Sequence, residues 1–207
     1  MIYYDYYADV PSDAIDAFVR TRELGRLVSV SGEGVPHIGL YPFVYGGERI
    51  EMHLHRADEQ LRDLRARPRC LFEVDEVLGV IPSYWVHPEN AVMATAYHRT
   101  VVFECEASVS EDGAALAAQQ TRLLARYQPE GGFRPVVADD PLYRGAIASI
   151  AAIRLEIRER RVKFKLGQNR SPQIRAELVR QLRSRGRPHD ANAADGLQWT
   201  IDREAQK

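Results

Sequence analysis

Two imidazoles and a guanidinium, from His53, His55 and Arg56, stand close together in the chain. One residue separates the histidines, so on an extended strand both face the same side. Just beyond them Asp58 can cap a short helix that carries Gln60, Leu61 and Leu64. A helix start offers unpaired N–H groups and a positive dipole end. Imidazoles, guanidinium and helix mouth together make a seat for a phosphate. Gln60 would donate a hydrogen bond from one turn in, and Arg56 or Arg62 would bring the charge. The plain alternative is a solvated polar edge, with Arg62, Arg65 and Arg67 as ordinary surface charge.

Two further groups could do chemistry. His98, Arg99 and Thr100 fall in one alternating run, where they line either a ligand or a polar strand face. Lys163, Lys165, Gln168, Asn169 and Arg170 surround Gly167, whose freedom permits a tight backbone path. The amides of Gln168 and Asn169 can pair with a heterocycle edge or hold a neighbouring loop. A zinc site at His37, His53 and His55 would lack a carboxylate or thiolate at a recurring metal spacing, so no metal is expected. No Ser-His-Asp or Cys-His arrangement and no glycine-rich phosphate loop is readable. His87 reads as a surface loop histidine.

The elements that must hold these residues read mostly as strands. Ile50, Met52 and Leu54 alternate with Glu51, His53 and His55, and after Pro68 a second alternation runs through Cys70, Phe72 and Val74. Ahead of them, Ser12 caps a helix with Ile15, Phe18 and Val19 inward and Gly25 as its end. Arg26 to Ser31 and Val35 to Tyr45 read as strands, the second carrying Pro36 and Pro42, which argue against a central position. Gly46 and Gly47 close a hairpin. The stretch after Asp75, with Pro82, Tyr84, Trp85 and Pro88, reads as a long loop or short strand. Tyr97 to Ser110 is a strand, Gly113 to Tyr127 a helix and Pro141 to Ile150 a short helix. Ala152 to Arg158 is a strand turned by Glu159 and Arg160, and Ser171-Pro172 opens a last helix lined by Ile174, Leu178 and Leu182. From Arg187 the chain turns polar and aperiodic. The expected organisation is one domain over 1–186 and a mobile tail over 187–207. Several short strands with few helices between them favour a mainly β (α+β) barrel over a parallel α/β sheet.

The totals set bounds. The chain has 207 residues and a net charge of −1, which leaves room for a sizeable core and excludes a simple polyelectrolyte. Between Arg154 and Arg187 stand 12 lysines and arginines against 3 acidic residues. That run could meet nucleic acid, but no helix-turn-helix pattern or aromatic interleaving accompanies it, and a solvated face is the ordinary reading. Cys70 and Cys105 read as buried thiols of a reducing compartment. No apolar run approaches a membrane span and the first residues lack a signal-peptide pattern, so a cytoplasmic location is expected. Four tyrosines among the first ten residues are too many rings for a solvated tail. They pack on the chain itself or form a dimer contact.

The stretch HLHRADEQLRDLRARPRCLFEVD resembles the phosphate-binding strand–helix–strand of the FMN-binding split barrels, the pyridoxamine 5′-phosphate oxidase-like superfamily. HRTVVFECEA resembles a strand of its nitroimidazole-reductase-like members. KFKLGQNRSPQIRAELVRQL is similar to the C-terminal motif of the PaiB-type FMN-binding regulators, with Gly167 where they usually carry serine. The resemblance implies an FMN-binding split β-barrel with peripheral helices, and a homodimer with the flavin between subunits. It places the FMN phosphate against His53, His55, Arg56 and Gln60, and the ring near Arg99, Thr100, Lys165, Gln168 and Asn169. It implies a flavin-dependent oxidoreductase acting on a small molecule. The alternatives are a PaiB-type negative transcriptional regulator that senses flavin or lacks it, and a haem-binding member with His53 or His55 as axial ligand.

Overall fold

A computed structural model describes residues 2–206. These residues sort into two compact units: a larger one of Asp13–Val74 and Val102–Arg160, and a smaller one of 2–12, Asp75–Val101 and 161–206. Seven strands form one sheet among the described residues: β1 (Leu24–Val30), β2 (Pro36–Pro42), β3 (Val44–Tyr45), β4 (Arg49–His55), β5 (Arg69–Ile81), β6 (Thr95–Ser110) and β7 (Ile150–Lys165), in the order β2-β1-β5-β6-β7-β4-β3. The β1–β2, β1–β5, β3–β4 and β4–β7 pairings are antiparallel. Three of the four unit boundaries fall inside the strands β5, β6 and β7, and the fourth follows Ser12.

Pro36 and Pro42 sit at the two ends of β2, an edge strand, where a missing N–H costs little. In the larger unit, helices α2 (Ser12–Thr21), α3 (Glu59–Ala66), α4 (Gly113–Tyr127) and α5 (Arg144–Ala148) accompany the strands. Ile15, Phe18 and Val19 are buried, as their spacing predicts. The Phe43 and Phe72 rings meet edge-on at 5.1 Å, and Tyr45 lies 5.7 Å from Phe103. Gly25 does not end α2. It lies inside β1, where a Cβ would come within 2.3 Å of the Phe72 ring, so the ring's close approach is what requires glycine.

Two strands outrun their expected lengths. β5 continues through Glu76 to Ile81: Glu76 and Leu78 are buried and extend the alternation, and beyond Gly79, at φ 127°, it shifts by one so that Ile81 is buried. β7 runs on through Glu159 and Arg160 without the expected turn. A charged pair on a strand's outer face does not break it when backbone pairing continues.

The smaller unit holds α1 (Asp5–Ala8), α6 (Pro172–Arg185) and α7 (Asp190–Ala205). Ser171 caps α6, its hydroxyl accepting from Ile174 N–H, and Gly186 follows in the left-handed conformation at φ 63°. The expected loose tail from Arg187 is instead α7, with Ala193, Ala194, Leu197 and Thr200 buried. Its turn is pinned by Arg185, which donates from Nε and Nη2 to the buried Asp190 carboxylate at 2.8 and 2.6 Å. This pairing holds the Asp190 carboxyl below the usual carboxylate range. The N-terminal tyrosines divide: Tyr7 is buried, whereas Tyr4 and Tyr6 are exposed and stack on each other at 5.3 Å.

If α7 is part of the packed unit, Leu197→Ala lowers unfolding stability by about 2–4 kcal/mol. A denaturant midpoint unchanged from the parent chain would return residues 190–205 to the surface.

Candidate functional site

The larger unit holds the expected phosphate seat, and its side chains part ways there. His53 is half-buried, with its Nδ1 3.0 Å from Gln120 Nε2 on α4. Burial holds its imidazole below the ordinary 6.5. His55 is exposed at the strand end, and its Nδ1 accepts from the Ala57 N–H at 3.1 Å. The guanidinium of Arg56 is exposed too. It reaches the Ile150 carbonyl at 3.3 Å and the Glu111 carboxylate at 3.2 Å, a carboxylate that Arg65 shares. So α4 covers the inner histidine, while His55 and Arg56 stay open to solvent.

Gln60 faces the other way. It is 2% exposed, and its amide nitrogen lies within 3.1 Å of the Leu27 carbonyl, the Ser29 hydroxyl and the His37 carbonyl. Its Oε1 accepts from the Tyr41 hydroxyl at 2.8 Å. Next to it, Ser29 donates to Asp63 Oδ2 at 2.7 Å, and His37 Nδ1 lies 2.7 Å from the same oxygen. Those bonds outweigh burial and hold the Asp63 carboxyl below the usual range. Gln60 therefore fastens α3 to β1 and β2, and its amide is already committed. The helix mouth is likewise in use, because Asp58 accepts the Gln60 N–H at 2.9 Å.

In the smaller unit the neighbours Arg99 and Thr100 take opposite faces of β6. Arg99 donates to Glu76 at 3.0 Å, lies 5.7 Å from the Phe164 ring centre, and would meet a Cβ at Gly196 at 3.0 Å. Its Nε has no hydrogen-bond partner among the described residues. Thr100 is buried, 3.0 Å from His98 Nδ1. Burial, Lys163 and Lys165 hold the His98 imidazole below its ordinary value, partly opposed by Asp75. Lys165 donates to Thr95 Oγ1 at 2.6 Å, and burial with Lys163 and Arg170 nearby lowers its pKa. Lys163 donates to the Ile2 carbonyl at 2.8 Å. Among the described residues neither lysine has a carboxylate partner. Positive charge is thus concentrated on this face, with Asp75 the acid that acts on His98 there.

Gln168 turns back on its own loop, accepting from Leu166 N–H at 2.8 Å and donating to Phe164 O at 2.6 Å. Asn169 is exposed. Gly167 has φ +81°, and a Cβ there would come within 2.8 Å of the Tyr97 hydroxyl, so the serine of the resembled motif would be strained. The basic run of the sequence is mostly engaged: Arg154 with Glu51, Arg158 with Glu106, Arg160 with Asp16, Arg175 with Glu204, Arg185 with Asp190. Sequence reading missed Tyr41, Ser29 and Asp63, whose joint role needs β1, β2 and α3 in place.

Cys70 and Cys105 are free buried thiols, as expected, and burial pushes Cys70 up to about 12. No group of three or more metal-ligating side chains that could hold a metal ion occurs among the described residues. Among those residues no helix is long and apolar enough to cross a membrane.

An unfolded histidine takes up a proton as pH falls through about 6.5, and the folded His53 resists it, so acidification favours the unfolded chain. The melting temperature falls from about pH 7 to about pH 5, and falls less steeply in His53→Gln. Equal slopes would mean that His53 protonates as readily folded as unfolded.

A family model described as "Putative FMN-binding domain" matches residues 1–159. Among curated proteins none matches the chain. Solved structures do. The conserved hypothetical protein Rv2991 from Mycobacterium tuberculosis is 19% identical, over 79% of this chain and 91% of its own, with a TM-score of 0.59. The flavocytochrome Anf3 from Azotobacter vinelandii is 19% identical, over 79% and 72%, with a TM-score of 0.65. An FAD and heme binding protein from Mycobacterium smegmatis is 18% identical, over 74% and 70%, with a TM-score of 0.60. At these identities the likeness shows the fold, the mainly β split barrel read from the sequence. Because the family model spans well over half of the chain, the chain belongs to the FMN-binding domain family, whose cofactor is FMN.

Proposed function

We propose that the chain is an FMN-dependent oxidoreductase acting on a small molecule. The observation that carries this reading is the pair Lys163 and Lys165, which among the described residues make no bond to a carboxylate, beside Thr100 and His98. A depressed ammonium pKa among other cations marks a place where an anionic group is welcome. His55 and Arg56 in the larger unit also fit an anion. The Arg56–Glu111 pair is solvent-exposed and so exchanges for a phosphate at little cost. Gln60 does not fit the phosphate role, because its amide already serves Leu27, Ser29 and His37. Thus, within the smaller unit, Thr100 and Lys165 would hold an anionic group of the cofactor. Bound FMN supplies the electron-transfer chemistry. The chain's part is to fix the anion with guanidinium and ammonium groups and to keep His98 neutral, able to donate or accept a proton.

Haem is a second reading. The two structural neighbours described as a flavocytochrome and as an FAD and heme binding protein support it. The neutral, half-buried imidazole of His53, whose other nitrogen is held by Gln120, is its candidate ligand here. A regulatory role for bound flavin has no comparable observation in its favour.

Titration with FMN, followed in the visible spectrum, gives a saturable flavin band that NADH or NADPH bleaches. Lys165→Met weakens FMN binding by about 2 kcal/mol. Binding without bleaching by either donor would sink the enzyme reading, and a Soret band with added haemin would favour the second. A homodimer is proposed alongside, supported by the resemblance and by the exposed apolar residues Ile38 and Leu40 on β2. Light scattering at a mass of two chains, reduced to one by Ile38→Glu, is the expected result. A single-chain mass for the parent protein would remove the dimer.

A further inference from the structure

A cavity lies wholly within the smaller unit, with a volume of about 210 Å³ and Tyr6, Arg175, Trp199, Thr200, Arg203 and Glu204 among its walls. All of these except Tyr6 lie beyond residue 159, outside the stretch that the FMN-binding family model matches. Asp9 and Gln168 complete the lining, and Gln168, expected above near the flavin ring, spends its amide on its own loop.

Arg175 is its unusual member. The side chain is 2% exposed, among the largest fully buried in the protein. Nη1 donates to the Thr200 hydroxyl at 2.9 Å, and Thr200 in turn donates to the Leu197 carbonyl. Nη2 donates to Glu204. Nε has no hydrogen-bond partner among the described residues. A buried guanidinium normally has its fork filled, since an orphaned N–H in low dielectric is costly. Here one edge of the fork is half-filled, and by a carboxylate whose side chain is 54% exposed in the last turn of α7. An exposed carboxylate is a weak clamp.

The remaining walls narrow the ligand. Arg203 is already engaged, donating to the Asp9 carboxylate at 2.8 Å and to the Asp9 carbonyl, with its guanidinium 5.6 Å from the Trp199 ring centre. Only Arg175 is left to meet a ligand charge, and a dianion would also face the Asp9 and Glu204 carboxylates. Trp199 and Tyr6 offer ring surface for an uncharged body. The volume lies below the range of about 300–1,000 Å³ usual for drug-sized ligands, which limits the occupant to roughly ten non-hydrogen atoms.

We propose that this cavity binds a small monocarboxylate with a flat or apolar body, its carboxylate taking the Nε/Nη2 edge of Arg175 in place of Glu204. A bidentate carboxylate satisfies the orphaned Nε that Glu204 leaves unmade. Glu204 then acts as a tethered competitor that any ligand must displace.

Isothermal titration of the full chain tests this with three probes: phenylacetate, its neutral amide 2-phenylacetamide, and the dianion phenyl phosphate. Each is run with and without saturating FMN, so that a failure of flavin binding stays separate from a failure here. Phenylacetate binds with one-to-one stoichiometry and the other two bind at least tenfold more weakly, as loss of a charge-assisted pair or repulsion by the two acids requires. Arg175→Lys abolishes binding. Because that substitution can also disturb the fold, Glu204→Ala is the decisive variant: removal of the competitor tightens phenylacetate binding about fivefold. Equal binding of the amide, unchanged or weaker binding by a folded Glu204→Ala chain, or no saturable heat in either protein overturns the proposal.

Discussion

The larger unit depends on one buried amide. Gln60 lies in the first turn of α3 and bonds to backbone on both β1 and β2 while Tyr41 fills its carbonyl. The same residues leave no room above Gly39, where a Cβ would lie 2.2 Å from the Tyr41 hydroxyl and 2.3 Å from Gln60 Oε1. Such a network holds a helix in one register, because a half-satisfied version would leave several polar groups stranded in low dielectric. His55 and Arg56 immediately precede that helix. Their position is a consequence of the anchor, and their freedom to meet a ligand comes from lying just outside it.

Charge is distributed by the same logic. A buried acid draws in whatever cations the fold brings near: Glu51 gathers Arg49, Arg122 and Arg154, and Asp190 takes the Nε/Nη2 edge of Arg185. These arginines looked available in the linear chain. Once their carboxylates are counted, the basic excess between Arg154 and Arg187 shrinks to a few side chains. The lysines of β7 stand out because, among the described residues, neither is bonded to a carboxylate. A functional electrostatic feature is in this sense a residue left over after the structural pairs have formed.

Much of this was legible in advance. The alternation through Ile50, Met52 and Leu54, the Asp58 and Ser171 caps, the Gly113–Tyr127 helix and the edge position of a strand with two prolines all follow from local rules. Helix α7 was not legible, because its buried stripe is built of Ala193, Ala194 and Gly196 around a single Leu197. Small residues allow close packing and leave almost no hydrophobic periodicity to read. The candidate site was half legible. Sequence can name His53, Gln60, Arg99 and Gln168 by type, yet each spends its polar atoms on a neighbour many residues away or on its own loop. Only tertiary structure distinguishes a side chain facing a ligand from one tying strands together.

The smaller unit is assembled from three separated stretches, the last of which follows residue 160. During synthesis the ribosome completes the larger unit's sequence first, while residues 2–12 and 75–101 wait for partners that have not yet been translated. Tyr7, Leu78, Ile81 and Tyr97, buried in the finished fold, are then sticky surface on a nascent chain. Closure by α6 and α7 is a late, high-contact-order event, and it sets the window in which this chain is most vulnerable to aggregation or to capture by a chaperone.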